Sequence, residues 1–502
     1  MLSAFGPTKD ASLPPFVRSA AVAAKTDADR IAGEARLYSM AASGAIVAAG
    51  LISGWLYYWA GDLHRFTQWI GAYLWLYVAL LGLCFISSNV VWRMAARGSR
   101  ALTLTSTALI ILFAMFFRAE LIARRPFLST DVYRYVWDGR VQAAGVNPYR
   151  YVPDAKELAS LRDNQIFPNI NRGDYALTPY PPAAQAVFLG VYLVKPSSVT
   201  AFKIAMSLFD LITMLGLAFV LARANLHPAR VILFAWNPLL IFEGAHSGHI
   251  ESIFIAFLAL ALLARTHKKI VLTGVMLGLA TAVKFYPALL LPAFLFWDTE
   301  SIAEAGQGFA NKVTRAVRSL MTRRNLILIA AFIVTIILVY LPYLSVGTQV
   351  LGNLPNEFAE EGFTGTGSRY FILDLVRRAV PIPTLLFLLI SALALLWLAF
   401  TWLMREKRGP ADVAAGCAAL IGLYLLIVTP RYPWYYAWLL PWLCFVPRTA
   451  WLYMSGASVL LYLTWYKPLE FPGIPLWLGS LVFLPPLLVL AFYKCRPALL
   501  DD

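Results

Sequence analysis

The sequence predicts an all-α, polytopic membrane protein with about 14 transmembrane spans, and three observations carry that class. Only 14% of its 502 residues are charged and 60% are hydrophobic, against roughly a quarter charged in a soluble domain. Apolar runs such as 101–117, 326–344 and 384–404 approach or exceed the ~20 residues that cross a bilayer. The net charge of +15 is gathered in short segments between those runs: Arg93, Arg97 and Arg100; Arg265, Lys268 and Lys269; Arg315, Arg318, Arg323 and Arg324; Arg405, Lys407 and Arg408; Lys494 and Arg496. Cytoplasmic loops fix topology in this way, and the pattern argues for a membrane lipid environment and against a nucleic-acid partner.

With the basic segments placed inside, spans fall at 40–60, 69–91, 101–117, 201–221, 231–243, 250–264, 270–283, 286–297, 326–345, 384–404, 412–429, 433–447, 450–466 and 475–493, and both termini lie in the cytoplasm. Residues 1–38 are polar and Ala-rich with mixed charge; they read as a cytoplasmic tail with no cleavable signal peptide. Residues 39–500 read as one integral membrane domain. The pair 270–283 and 286–297 is broken by Lys284-Phe285-Tyr286-Pro287, so it reads as two short crossings or as a re-entrant hairpin whose turn is covered by protein. The apolar stretch 181–195 reads as an interfacial helix, because a further span there would put Arg223 and Arg230 outside. Cys84, Cys417 and Cys444 lie in apolar runs and Cys495 at a cytoplasmic end, so no disulfide framework is implied. No internal repeat or inverted pair of broken helices, as in many transporters, is visible.

Two connections are long and polar, and both fall on the outer side. Residues 118–180 follow the third span; residues 346–383 carry Glu357, Glu360, Glu361, Arg369, Asp374, Arg377 and Arg378. Long connections without a span of their own are usually functional or disordered. The aromatics and helical period of 118–180 favour order there.

Within that loop, residues 129–140 read Ser-Thr-Asp-Val-Tyr-Arg-Tyr-Val-Trp-Asp-Gly-Arg. Ser129 or Thr130 can cap a helix, which puts Asp131 in its first turn, and Asp131, Arg134, Tyr135 and Asp138 then share one face. Val132, Val136 and Trp137 turn toward membrane or protein. Two carboxylates and an arginine beside apolar surface suit an acid–base site, with the helix N-terminus favouring an ionised Asp131. The same spacing also describes an amphipathic surface helix with Arg134–Asp138 as an ordinary i,i+4 pair. Gly145 with Asn147-Pro148 reads as a helix stop and turn, and Thr178-Pro179-Tyr180-Pro181-Pro182 closes the loop.

Elsewhere, Glu243, His246 and His249 sit three apart at the outer end of a short span. Ionisable groups at membrane depth are costly and usually functional. Their types allow substrate or phosphate contact, a metal site or structural polar contacts, although glycines between them do not enforce ligand geometry. Lys284, at the break, can bind a phosphate with help from helix ends, neutralise Glu243, or cap the turn's carbonyls. In Thr429-Pro430-Arg431-Tyr432-Pro433-Trp434-Tyr435-Tyr436 the aromatics mark a membrane edge. Arg431 suits a lipid phosphate through bidentate bonds, and Arg369 is a similar candidate.

Together Asp131-Val-Tyr-Arg-Tyr-Val-Trp-Asp-Gly-Arg, Asn147-Pro-Tyr, Tyr180-Pro-Pro, Asn237-Pro with Glu243 and Gly248-His249, and Lys284-Phe-Tyr-Pro resemble the bacterial polyprenyl-phosphate-dependent mannosyltransferases. These belong to the glycosyltransferase C-type (GT-C) superfamily, and the nearest likeness is to the α-1,6-mannosyltransferase branch. The likeness runs in motif detail from about 101 to 300 and beyond that only in its pattern of spans and the Arg431 segment. It implies an inverting transferase of the cytoplasmic membrane working on the outer face. Asp131 would be the general base on an acceptor hydroxyl that displaces polyprenyl phosphate from the anomeric carbon. It further implies a glycan or glycolipid acceptor, no metal, and no cofactor beyond the lipid-linked sugar donor. Arg134, Tyr135, Asp138, Glu243, His246, His249, Lys284, Arg369, Arg431 and Tyr435 are the expected substrate-binding residues. Two departures stand out: two extra spans precede the aspartate, and Val132 follows it where some relatives carry an acidic pair. A transporter or flippase for a lipid-linked glycan is the alternative from another class, favoured by ionisable groups inside spans and opposed by the large structured loop.

Overall fold

The structure is a computed structural model that describes residues 15–63, 69–95, 100–296, 313–314, 317–318, 320–354, 356, 370–405, 409–466 and 474–495. Every regular element among the described residues is helical. Among the described residues, eight helices are long and apolar enough to cross a membrane, nine if the bent pair Pro238–His246 and Glu251–Thr266 is one broken span. Among the described residues the expected count of about 14 is not confirmed. The difference has a local cause. Runs 231–243, 286–296, 433–447 and 450–466 fold as short α, 3-10 and π pieces, and in the first three Pro238, Pro287, Pro292, Pro433 and Pro441 each start a new piece at its N1 or N2 position. Proline is pre-organised for a first turn but cannot continue the one before it.

The first long helix, α1 (Pro15–Ala60), carries the first apolar window at Met40–Ala60, so residues 15–38 of the expected tail extend that helix. It packs on α2 (Trp69–Ala95) and α3 (Arg100–Ile122). The third span was expected to end at 117, but α3 continues for another turn and takes Arg118 into the bundle instead of the loop. There Arg118 Nε lies 2.9 Å from Asp210 Oδ2, both side chains fully buried, and its Nη1 donates to the carbonyls of Ala114 and Ala235. Pairing and hydrogen bonding together make such a charge tolerable in an apolar interior.

Asp210 belongs to α6 (Val199–Arg223), which begins where Ser198 Oγ accepts from Ala201 N. Its buried Lys203 donates to the carbonyls of Leu121 and Arg124 and so caps the C-terminus of α3. Between α3 and α6 lie α4 (Asp131–Ala143), 3-10 turns at Lys156–Leu161 and Phe167–Asn169, and α5 (Pro182–Val194), which packs on α4. The close approach is at Gly139, where a Cβ would meet Phe188 O at 2.7 Å. The helix Ile270–Val283 crosses Arg323–Tyr340 in the same manner through Gly274 and Gly278, whose added Cβ atoms would meet Leu328 O at 2.4 Å and Phe332 O at 2.8 Å. Small residues four apart are what lets two helices approach closely in a membrane.

Candidate functional site

The N-terminal end of α4 opens into a cavity of about 520 Å³. Its lining comes from distant stretches of sequence: Asp131, Arg134 and Tyr135 from α4; Asn171 and Arg172 from the loop that follows; His249 and Glu251; Lys284 at the break after Ile270–Val283; and Tyr432, Trp434, Tyr435, Trp438 and Trp465.

Asp131 is placed by its own helix start. Its backbone N–H donates to Ser129 Oγ at 3.2 Å, whereas Thr130, at the cap position itself, makes no side-chain cap bond. Asp131 Oδ1 accepts from Asn171 Nδ2 at 2.8 Å. Its Oδ2 faces His249 Nδ1 at 3.7 Å, with 22% of the Asp131 side chain exposed. Burial raises the Asp131 carboxyl above the ordinary carboxylate range, while the Asn171 bond and the nearby Arg172 and Lys284 cations pull the other way. A helix N-terminus alone suggests an ionised group; here loss of hydration outweighs it, which makes Asp131 a stronger proton acceptor.

Asp138, two turns along the same face, is a different kind of carboxylate. It is 1% exposed and does not line the cavity. Its Oδ1 accepts from Arg134 Nε at 2.8 Å, and its Oδ2 accepts from Thr178 Oγ1 at 2.5 Å and Gln185 Nε2 at 2.9 Å. Arg134 in turn donates to Ala176 O at 3.1 Å. This cluster ties α4 to α5 and to the segment before it, so Asp138 does not face the space that a substrate would enter. Tyr135 reaches the cavity stacked on Phe188, ring centroids 4.7 Å apart, and edge-on to Tyr180. Val132, Val136 and Trp137 are buried inside the protein, Trp137 beside Phe167.

The Glu243 segment is shaped by its backbone. Asn237 Oδ1 accepts from Leu239 N to start a helical turn, which widens into a π turn over Ile241–His246. Gly248 then adopts φ +77°, in close contact with Val132 and Lys203, and a Cβ there would meet Val132 Cγ2 at 3.0 Å. His249 N closes the bend on Glu243 O at 2.8 Å. As a result Glu243 and His249, six apart in sequence, meet: His249 Nε2 lies 3.4 Å from Glu243 Oε2. Tyr462 Oη donates to Glu243 Oε1 at 2.6 Å. The His249 ring stacks on Trp434 at 4.1 Å. Glu243 is buried behind His249 and does not line the cavity. His246 does not line it either; its ring packs on Phe127 at 4.3 Å.

Lys284 sits in extended backbone (φ −154°, ψ 137°) at the predicted break. Its partner is Glu251, Nζ to Oε1 2.6 Å, not Glu243, and the ammonium lies over Tyr435 at 4.2 Å and Trp438 at 5.2 Å. Arg431 does not line the cavity, although its neighbours Pro430 and Tyr432 do. Arg369 lies outside the described residues.

Trp438 and Trp465 line the cavity but were not singled out in the sequence, nor were four polar contributors. Asn171 and Arg172 precede Gly173-Asp174, a turn composition, with Arg172 at φ 55° and its guanidinium 3.4 Å from Tyr432 Oη; only the turn was legible. Glu251 and Tyr462 carried no local signal, since their partners lie 33 and 219 residues away.

Set beside known proteins, residues 36–299 match the family model described as Alpha-(1->6)-mannopyranosyltransferase, N-terminal domain. Residues 178–430 match glycosyltransferase family 87. No curated protein matches the chain.

Proposed function

The chain belongs to the alpha-(1->6)-mannopyranosyltransferase family, and from that premise we propose that this multi-pass membrane glycosyltransferase moves mannose from a polyprenyl-phosphate donor to a glycan or glycolipid acceptor at the outer face of the cytoplasmic membrane, with inversion and with Asp131 as general base. The observation that carries the reading is the single carboxylate of α4 whose oxygen opens on the cavity, opposite cations and aromatic faces.

In the reaction the acceptor oxygen attacks the anomeric carbon as its O–H proton passes to Asp131 Oδ2. The bond from that carbon to the phosphate oxygen breaks, and polyprenyl phosphate leaves with the electron pair. A carboxylate lifted by burial accepts the proton nearer neutral pH than an ordinary one does. Arg172 and Lys284 supply positive charge for the departing phosphate, the interaction that grows most as the bond breaks. Lys284 already holds Glu251, so a bound phosphate shares that ammonium with a carboxylate, and the pair keeps the empty cavity from carrying an isolated charge. Tyr435 and Trp465 line the cavity and supply aromatic surface suited to the C–H faces of a sugar.

The test is transfer of mannose from a synthetic polyprenyl-phosphate mannose in nanodiscs, by the intact protein and by Asp131→Asn, with the anomeric configuration of the product read by NMR. Loss of transfer in a folded Asp131→Asn protein and an inverted product are expected. Normal transfer by that variant, or a donor moved across sealed vesicles with its linkage intact, would overturn the reading.

A further inference from the structure

Glu243 has no view of the cavity, yet the backbone is bent so that it meets His249 from behind. The π turn and the positive-φ Gly248 bring the two together, and His249 then stands between two carboxylates: Oε2 of Glu243 at 3.4 Å from Nε2 and Oδ2 of Asp131 at 3.7 Å from Nδ1. Both outer members are held from their far sides, Glu243 by the Tyr462 hydroxyl and Asp131 by Asn171. The ring cannot turn freely, because it is 1% exposed and stacked on Trp434.

We propose that His249 and Glu243 are positioning residues of the transfer reaction, His249 taking on Nδ1 the proton that Asp131 removes from the acceptor, and Glu243 holding the ring and stabilising the imidazolium that forms. This rests on Asp131 being the base.

In the proposed resting state a neutral ring turns Nε2–H toward Glu243 Oε2, 3.4 Å away with no hydrogen bond made between them, and its Nδ1 lone pair faces Asp131 Oδ2. Two lone pairs with no proton between them keep their distance, which accounts for a gap beyond hydrogen-bond length. The gap closes once Asp131 carries the acceptor proton. The Oδ2–H bond then breaks as Nδ1–H forms, leaving Asp131 ionised and an imidazolium flanked by two carboxylates. A buried cation needs such pairing; one carboxylate orients the ring and the other exchanges the proton, the division of labour found in hydrolase triads. The proton returns to solvent through Asp131 once the leaving phosphate has departed.

The groups that face this line are few. Glu251 follows on the next helix and Lys284 pairs with it; Arg172 stands beside Asp131; Tyr77 of α2 lies within electrostatic reach of Glu243. The Lys284–Glu251 pair is close to neutral as a unit, although Glu251 is within electrostatic reach of both Glu243 and His249.

The experiment measures pH profiles of kcat and of donor and acceptor KM for the intact protein in nanodiscs, for Glu243→Gln, His249→Gln and Asp131→Asn. Glutamine at 243 keeps an oxygen for the Tyr462 hydroxyl and removes the carboxyl group that faces Nε2. Expected for Glu243→Gln is a fall in plateau kcat of about tenfold or more with both KM values unchanged. His249→Gln is expected to lower kcat similarly and serves alone if Glu243→Gln does not fold. A pH profile that superposes on that of the intact protein, or a loss expressed wholly in KM, overturns the proposal. If Asp131→Asn is fully active, the reading of Asp131 as base fails and takes this proposal with it; if Asp131→Asn is inactive while the other two keep the original profile, this proposal alone fails.

Discussion

Asp131 and Asp138 lie two turns apart on one face of one helix, and the structure gives them opposite circumstances. Asp138 is enclosed, with Arg134 on one oxygen and Thr178 and Gln185 on the other. Asp131 has one oxygen held by Asn171 and the other turned to His249 and the cavity. A carboxylate with both oxygens hydrogen-bonded to neighbouring elements is scaffold, because moving a proton there would break bonds that hold the helix in place. A carboxylate with an unclaimed site in a partly dehydrated cavity is chemically available. The difference is one of neighbours, not of position on the helix.

The sharpest way to break this comparison is to remove each charge in turn. Asp131→Asn is expected to lower transfer by roughly 10²–10⁴-fold, the usual worth of a positioned general base, with little change in thermal stability, since asparagine can still bond Asn171. Asp138→Ala is expected to do the reverse: the Arg134 charge left buried and unpaired costs about 3–5 kcal/mol, read as a lower melting temperature and poorer yield. Activity per folded molecule at low temperature should stay within a few-fold. If the folded Asp138→Ala protein is as inactive as Asp131→Asn, the distinction is lost.

How much of this was legible in the sequence divides along the same line. Helical period brought Asp131, Arg134, Tyr135 and Asp138 to one face, and the resemblance picked out Asp131. Period could not say that Asp138 would be consumed by Thr178 and Gln185, because those bonds require α5 to fold back onto α4 at Gly139. The break at Lys284 was visible, since Lys-Phe-Tyr-Pro cannot continue a helix. Its partner Glu251 was not, because an ion pair spanning 33 residues depends on how two helices pack. Glu243 and His249 were noticed as ionisable groups in an apolar setting, but a helix puts residues six apart on different faces, and only the π turn and Gly248 reunite them. Arg118 was assigned to the loop because a charge at the end of an apolar run usually marks its edge; Asp210, fully buried on α6, made one more turn affordable. Hydropathy likewise sees an apolar run and not the prolines that divide runs such as 433–447 into pieces.

A smaller effect is expected at Lys284, the cation of the cavity side. Lys284→Gln removes a charged hydrogen-bond donor, and a charge-assisted bond is worth about 1.5–3 kcal/mol. Donor KM should therefore rise by roughly ten- to a hundredfold while acceptor KM holds, measured by varying each substrate at saturation of the other. The variant also leaves Glu251 without its ammonium, so Lys284→Gln with Glu251→Gln is the informative partner. If the double variant restores donor KM, Lys284 serves Glu251; if KM stays high, it serves the phosphate.

The smallest effect, and the one that reads Asp131 most finely, is at Asn171. Its amide donates to Oδ1 and so favours the ionised carboxylate against the burial that raises it. Removing that bond in Asn171→Ala must push the Asp131 carboxyl further upward, because a hydrogen bond made to the charged form is lost. A base works only when deprotonated, so the acid limb of the rate profile should move to higher pH and the plateau at high pH should change little. A limb displaced in Asn171→Ala would place the titrating group at that carboxylate, whereas a limb that ignores Asn171 would mean that the rate reports the ionisation of some other group.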